Sequence, residues 1–312
     1  MDEETSLPEQ MRAAFLIILF GSAGILINGY VLYAVCSYKV FGKSFGAICS
    51  SQILANLGNS FVFAVFVGPM TIIDPSLHQT YWGSRCGQML IVFWNASLLS
   101  HLLTSVNRCV NVYLPFKYEN AFSPKITYLL IASVWTFAFC QGIPYFMPDC
   151  TLEYRPSEFT FFFRPTRCRD YIWYYADFWF SISVVSLIGI VDLSTFLKIR
   201  SLQKKNILHT KSKDIKFFFQ ALVQAFTTLT ELVVYFWVSP LLAHNKWAHF
   251  GATTLAWITE ELCDGVVFII FNKDIRRRPS VAPSSTNRAA PFHAVSPSNQ
   301  RDSKEFPFPL NC

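Results

Sequence analysis

Apolar residues gather into seven runs along this chain, separated by short polar gaps. The runs fall at approximately 13–35, 46–69, 86–110, 126–147, 172–196, 215–239 and 250–271. A helix of roughly 20 apolar residues crosses the ~30 Å hydrocarbon core of a bilayer, so each run is long enough to span. The first, third, fourth and sixth are the most evenly apolar. The fifth holds Asp177 and Asp192, and the seventh holds Glu260, Glu261 and Asp264. Those two read as helices with one polar side rather than as loops. The pattern predicts an all-α membrane protein, a seven-transmembrane helix bundle, in place of a soluble core.

Composition agrees. Charged residues are 15% of the 312 and hydrophobic residues 52%, where globular domains carry about 25% charge. The net charge of +6 could suggest nucleic acid, but the basic residues avoid the runs and collect in alternate gaps. Lys39, Lys43, Lys117, Lys125, the cluster Lys198 to Lys216 and the C-terminal cluster lie on one side. Arg12, Arg85, Arg155, Arg164, Arg167, Arg169 and Lys246 lie on the other, which has fewer than half as many. The richer side is cytoplasmic by the positive-inside rule, which places the N-terminus outside and removes nucleic acid as a partner. Asp2, Glu3, Glu4 and Glu9 precede the first run. A secretory leader has a positive start, so the first run reads as a retained helix. The organisation expected is an extracellular N-terminus over 1–12, a seven-helix domain over 13–278 and a disordered cytoplasmic tail over 279–312, rich in Ser, Pro and Asn. Residues 272–278 are expected to form a short basic helix along the inner leaflet.

Polar residues inside the runs recur at helical spacing. The third run has Asn95, His101, Thr104 and Ser105; the sixth has Gln220, Gln224, Thr228, Glu231 and Tyr235; the seventh has Trp257, Glu260, Glu261 and Asp264. Each acid facing lipid would cost about 2.5–3.5 kcal/mol on insertion scales, so the stripes turn inward. One reading is hydrogen-bond glue between helices. The other is an outer cavity for a ligand, with Asn95, His101, Asp177, Glu231, Tyr235, Trp257, Glu260 and Glu261 as candidates. The adjacent glutamates point about 100° apart and cannot both face one spot. Asn95-Ala96-Ser97 matches a glycosylation acceptor but lies within the membrane.

Cys86, Cys150 and Cys168 all fall on the outer, oxidising side, where disulfides form. A bridge from Cys86 to Cys168, or to Cys150, would pin the long outer loop over the bundle. That loop carries the run Phe159 to Phe163, which suits a short strand pair. At the inner end of the third run, Asn107-Arg108-Cys109 holds a guanidinium at the membrane edge.

Phe41-Gly42-Lys43-Ser44-Phe45-Gly46, then Cys49, Ser50 and Ala55-Asn56, then Asn107-Arg108-Cys109 with Val112, Pro115, Tyr118, Phe122 and Ser123 form one combination. It resembles the nematode serpentine chemoreceptors of class X, a branch of the rhodopsin-like G-protein-coupled receptors, over roughly residues 15–275. The resemblance implies that Asn28 with Val31 matches the first-helix Asn-x-x-Val signature of an internal polar network. Asn107-Arg108-Cys109 resembles the Asp-Arg-Tyr motif, whose Arg meets the G protein; Pro115, Lys204 and Lys205 join it as coupling candidates. Cys86 resembles the third-helix cysteine that joins the outer loop. Asp264 stands where the Asn-Pro-x-x-Tyr motif would begin, with Gly265 in place of the proline. The second-helix acid of the family's sodium site is absent. Asn56 and Asn59 occupy that neighbourhood and complete the network candidates with Asn28 and Asp264. Asn107 replaces an acid, so the resting ion pair to Arg108 is missing and looser restraint is expected.

The chain has no His-Glu-x-x-His site, no phosphate-cradling glycine loop and no lysine within the seventh run for a retinal Schiff base, since Lys246 precedes that run. No enzyme activity, cofactor or metal is expected. The resemblance implies a chemosensory receptor in the plasma membrane, multi-pass and of the kind found in sensory cilia. Its partners would be a small-molecule ligand, the bilayer and a heterotrimeric G protein, with arrestin and a kinase acting at the Ser-rich tail. A ligand-gated channel, a seven-helix transporter and a non-coupling receptor-like protein are the alternatives.

Overall fold

The computed structural model describes residues 6–38, 41–163, 166–204 and 212–276. Seven long helices run through these residues. Helix one is Leu7–Tyr38, helix two Lys43–Ile73, helix three Tyr81–Tyr113, helix four Pro124–Phe146 and helix five Arg167–Lys204. Helix six begins with Ser212–Val233 and continues to Leu242. Helix seven joins Lys246–Phe250, Gly251–Leu255 and Ala256–Phe271. Six of them are long and apolar enough to cross a membrane by length and composition. The seventh misses that criterion because Glu260, Glu261 and Asp264 dilute it, yet all three are buried.

The burial pattern is inverted relative to a soluble protein. Asn28, Asn56, Asn59 and Glu261 are fully buried, whereas Leu26, Ile190 and Leu241 are each more than 60% exposed. Polar side chains meet inside and apolar ones face outward, as lipid requires. Helix three packs against helices two, four and five; helix one lies against two and seven; helix six lies between five and seven.

Helices one, two, three, five and six outrun the apolar blocks at both ends, and helices four and seven at their N-terminal ends. Helix three starts at Tyr81, where the Thr80 hydroxyl accepts from the Gly83 N–H at 3.5 Å. Helix five starts at Arg167, capped by the Thr166 hydroxyl. Caps of this kind satisfy N–H groups that have no partner within the helix. The chain then turns in short pieces at the inner side: Pro115–Ala121 after helix three and Lys273–Arg276 after helix seven. Tyr30 donates to the Ile275 carbonyl at 2.8 Å, tying that last turn to helix one.

In the long outer loop, β1 (Leu152–Arg155) pairs antiparallel with β2 (Thr160–Phe163), from Leu152↔Phe163 to Arg155↔Thr160. The hairpin lies against helix three. A Cβ on Gly87 would stand 2.3 Å from the Leu152 carbonyl oxygen, so only glycine admits the strand there. Phe159 holds the turn with φ of 57°. Its buried ring packs on Trp247 and Phe250, and its carbonyl accepts from Thr254 at 2.8 Å. This contact fastens the hairpin to helix seven.

The disulfide corrects the expectation. Cys150 is bonded to Cys168, with Cα atoms 5.4 Å apart, and Cys86 is a free thiol. Cys150 ends a short turn beside the start of helix five, so both cysteines belong to the loop's own roots. Cys86 lies on the second turn of helix three because that helix begins five residues earlier than its apolar run. Lys205 and the tail 279–312 lie outside the described residues.

Candidate functional site

Helices two, five, six and seven each contain a π-type turn in the outer half: Phe63–Val67, Ile172–Trp179, Val234–Val238 and Gly251–Leu255. Such a turn re-aims the side chains it carries and often marks a functional site. Asp177 and Tyr235 lie in two of them, and Trp257 follows two residues after a third.

These segments surround a cavity of about 40 Å³ lined by Ile91 and Trp94 of helix three, Leu152 and Phe163 of the hairpin, Trp173, Asp177 and Ser181 of helix five, Glu231, Leu232, Tyr235 and Phe236 of helix six, and Trp257 of helix seven. A vestibule of about 360 Å³ adjoins it under the hairpin, reaching Glu158, Arg169, Ser239 and His249. Phe163, Trp173 and Tyr235 line both spaces and form the partition between them. Trp257 is the hub of the inner wall. Its ring meets Phe63, Trp94, Phe161 and Tyr235 edge to face, at centroid distances of 5.6 to 6.4 Å.

Two acids enter the cavity. The Tyr145 hydroxyl contacts both oxygens of Asp177, at 2.7 and 2.8 Å. Glu231 is 92% buried, and its Oε2 accepts no hydrogen bond among the described residues. Of the eight ligand candidates, Asp177, Glu231, Tyr235 and Trp257 line this cavity; Asn95, His101, Glu260 and Glu261 do not. Asn95, one turn below Ile91 on helix three, donates back to the Ile91 carbonyl at 3.0 Å. His101 is seven residues beyond Trp94, roughly 10 Å deeper at the helical rise. Glu260 and Glu261 stand about a turn below Trp257. Depth separates them, which spacing along a stripe does not reveal.

The excluded acids belong to a second, deeper layer. Asp264 accepts from Gln52 at 3.2 Å and from Asn56 at 3.1 Å, and Ser97 donates to Asn56. Asn59 donates to Glu261, while Asn28 donates to the Glu261 carbonyl at 3.0 Å. Glu260 accepts from Thr228 at 2.8 Å. His101, Glu260 and Asp264 also border a void of about 10 Å³, on the order of a single water. The four network candidates fall in two hydrogen-bonded groups about one turn apart along helix seven: Asn56 with Asp264, and Asn28 and Asn59 through Glu261. Beside these groups, Trp135 of helix four donates to Ser51 of helix two at 3.0 Å, and Ser51 contacts Ser100 of helix three at 3.0 Å.

At the inner end, Asn107 is buried and exchanges hydrogen bonds with the Tyr118 hydroxyl at 3.3 and 3.4 Å. Arg108 has its Nε and Nη1 buried with no hydrogen-bond partner among the described residues, and its guanidinium lies 5.7 Å from the Phe45 ring centroid. The nearby acid Asp192 is occupied by Ser105, which donates to it at 3.0 Å. Cys109 is half-buried, Pro115 opens the short inner helix, and Lys204 ends helix five exposed. Phe196 stacks on Phe218 at 4.3 Å, closing helices five and six together at this end. The sequence pattern does not mark Trp94, Trp173 or Tyr145 as inward-facing. Tryptophans and tyrosines near run ends read as interfacial belt, and nothing in periodicity says which turn inward. Among the described residues no group of three or more His, Cys, Asp and Glu is placed to hold a metal ion.

Comparison with known proteins gives the family and the fold. Two curated relatives from Caenorhabditis elegans are similar along most of their length. Serpentine receptor class X 45 is 27% identical over 290 residues, covering 85% of this chain and 80% of the relative. Serpentine receptor class X-43 is 24% identical over 265 residues, covering 81% and 82%. The crystal structure of squid rhodopsin superposes with a TM-score of 0.68 at 13% identity, covering 88% of this chain and 85% of that one, which shows a shared helical-bundle fold. The sequence profile of the serpentine seven-transmembrane chemoreceptors Srx matches residues 18–272. With four-fifths of its length under that profile, the chain belongs to the Srx family of serpentine G-protein-coupled-type chemoreceptors, a family of receptors rather than enzymes.

Proposed function

We propose that this receptor takes a small molecule from the outer medium into the cavity below the hairpin and activates a heterotrimeric G protein at its inner end. The observation that carries the reading is Arg108, whose buried Nε and Nη1 make no hydrogen bond to the described residues. A guanidinium presents five donors in a fixed fork suited to carboxylates and carbonyls. Leaving Nε and Nη1 unmet beside the Phe45 ring is unfavourable, and a partner entering from the cytosol would relieve it. Helix three carries Trp94 in the cavity wall and Arg108 at the other end, and helix six carries Tyr235 and Phe218. Motion of helix six would break the Phe196–Phe218 stack and uncover Arg108. A ligand favours that state only by as much as it binds it more tightly than the closed one. The reading places the protein in the plasma membrane of a sensory cell, with kinase and arrestin acting on the tail.

The test is expression of the full chain in a heterologous cell line, recording second messengers and ion currents together against an odorant panel. Arg108→Ala should abolish the second-messenger response at unchanged surface expression. Currents without second messengers would favour a channel, and an intact response in the variant would sink the coupling role.

A further inference from the structure

The inner cavity holds two carboxyl groups, and no Lys, Arg or His is among its described lining residues. Glu231 is nine-tenths buried, and its Oε2 accepts no hydrogen bond among the described residues. Among the described residues Asp177 has one hydroxyl donor, Tyr145, shared between its two oxygens, while a carboxylate has about four acceptor positions. The acceptor capacity of this wall is therefore largely unused. A buried acceptor without a donor costs on the order of 1–3 kcal/mol, more when charged, so the site is incomplete as it stands. The remaining walls are rings: Trp94, Trp173, Phe163, Phe236 and Trp257. Aromatic faces attract cations and repel anions.

We infer that this cavity takes the head group of a small organic ammonium compound, seated between Asp177 and Glu231. The ammonium brings positive charge and up to three donors. A neutral alcohol has one donor and leaves an acid unanswered; a carboxylate would add like charge. Size fits the same division. A space of about 40 Å³ accepts a head group of a few heavy atoms, and an aromatic or branched alkyl body extends past Phe163, Trp173 and Tyr235 into the 360 Å³ vestibule. The vestibule wall carries Glu158 together with Arg169, which is paired with Asp170, and His249, so the selection for a cation rests on the inner cavity.

The inference rests on the proposed outer ligand site, but occupancy is measurable without a G protein. Purified full-length protein in lipid nanodiscs is heated with methylammonium, isobutylammonium or phenethylammonium, each beside its matching alcohol and carboxylic acid. At least one amine should raise the unfolding midpoint where its alcohol and acid do not. Glu231→Gln and Asp177→Asn, which keep side-chain size, should each weaken that amine at least tenfold. Alcohols or acids as effective as amines, no shift from any amine, or full amine affinity in both variants would each overturn it. The amine-against-alcohol comparison needs only the unaltered protein, so a variant that fails to fold leaves the test standing. An amine that stabilises the protein but raises no second messenger in cells would support the inference while removing the coupling reading.

Discussion

The phenol of Tyr145, on the last turn of helix four, contacts both carboxylate oxygens of Asp177 on helix five, at 2.7 and 2.8 Å. The tyrosine is 1% exposed, so the hydrogen bond is sheltered from water and crosses between neighbouring helices at the level of the cavity. Arg85 of helix three donates to the Tyr145 carbonyl at 3.0 Å and to Gln88 at 2.8 Å, and Gln88 donates to the Gly142 carbonyl at 2.7 Å. The outer end of helix four is thus held by helix three on one side and aims its phenol at helix five on the other.

Removing that hydroxyl alone should be costly. Tyr145→Phe leaves the Asp177 carboxyl without its donor, a penalty of about 1–3 kcal/mol for a stranded buried acceptor. Asp177→Asn restores neutrality but keeps a partner for Tyr145. Combining Tyr145→Phe with Asp177→Leu should cost less than the sum of the two single changes, because the double variant strands nothing. Thermal unfolding of the purified protein, analysed as a double-mutant cycle, checks this; strict additivity would mean the pair is not coupled.

The disulfide offers a second check, since three cysteines share the outer side and only one pairing is present. The bridge between Cys150 and Cys168 encloses a loop with a sequence separation of 18, for which chain entropy gives about 3 kcal/mol. Cys150→Ser and Cys168→Ser should each lose about that much, and the double variant no more than either. Cys86→Ser should leave the midpoint under oxidising conditions close to that of the unaltered chain. Mass spectrometry of non-reduced peptides reads the pairing directly, and a Cys86 cross-link there would contradict the assignment.

The seven-helix architecture is legible in the chain because lipid imposes one rule on every run: apolar outward, backbone bonded within the helix. The inward turn of Glu260, Glu261 and Asp264 follows from the same rule. Register is what escapes. Whether Cys86 faces the loop depends on where Thr80 caps helix three and on how close the hairpin comes at Gly87, and neither is periodic. The cavity depends on depth, so Asp177, Glu231, Tyr235 and Trp257 share a layer while His101 and Glu260 fall below it. Trp94 and Trp173 look like any interfacial tryptophan until the π-type turns and the hairpin set their level.

Close approach of helices one and seven yields a sharper contrast. A Cβ on Gly265 would stand 2.7 Å from the Asn28 Oδ1 and 2.8 Å from an Ile27 methyl. Gly265→Ala should push the helices apart and weaken the Asn28 bond to the Glu261 carbonyl, costing about 1–3 kcal/mol as overpacking does. Gly189, on the exposed side of helix five, has nothing within 4 Å of its Cβ position. Gly189→Ala should stabilise by about 0.5–1 kcal/mol, the ordinary gain of Ala over Gly within a helix. An unfolding midpoint for Gly265→Ala that rises alongside that of Gly189→Ala would show that the contact is not tight.

His78 sets a pH dependence outside the membrane. It lies in the turn between helices two and three, 1% exposed, with its Nε2 at 3.2 Å from the Thr71 hydroxyl and its ring between Phe66 and Tyr154. Burial disfavours the imidazolium and lowers its pKa from 6.5 to about 4, against a smaller opposing pull from Asp74. The unfolded chain therefore takes up a proton near pH 6.5, whereas the folded one does so only near pH 4. Between those values the unfolded state binds more protons, so stability falls as pH falls. Above about 6.5 the contribution is fully present, and across the window its loss approaches about 3 kcal/mol. His78→Asn cannot titrate there, so its stability should decline less over the same interval. The difference between the two proteins' unfolding midpoints from pH 7 to pH 4 isolates the imidazole from the other titrating groups, and parallel curves would show that His78 is not shielded from solvent.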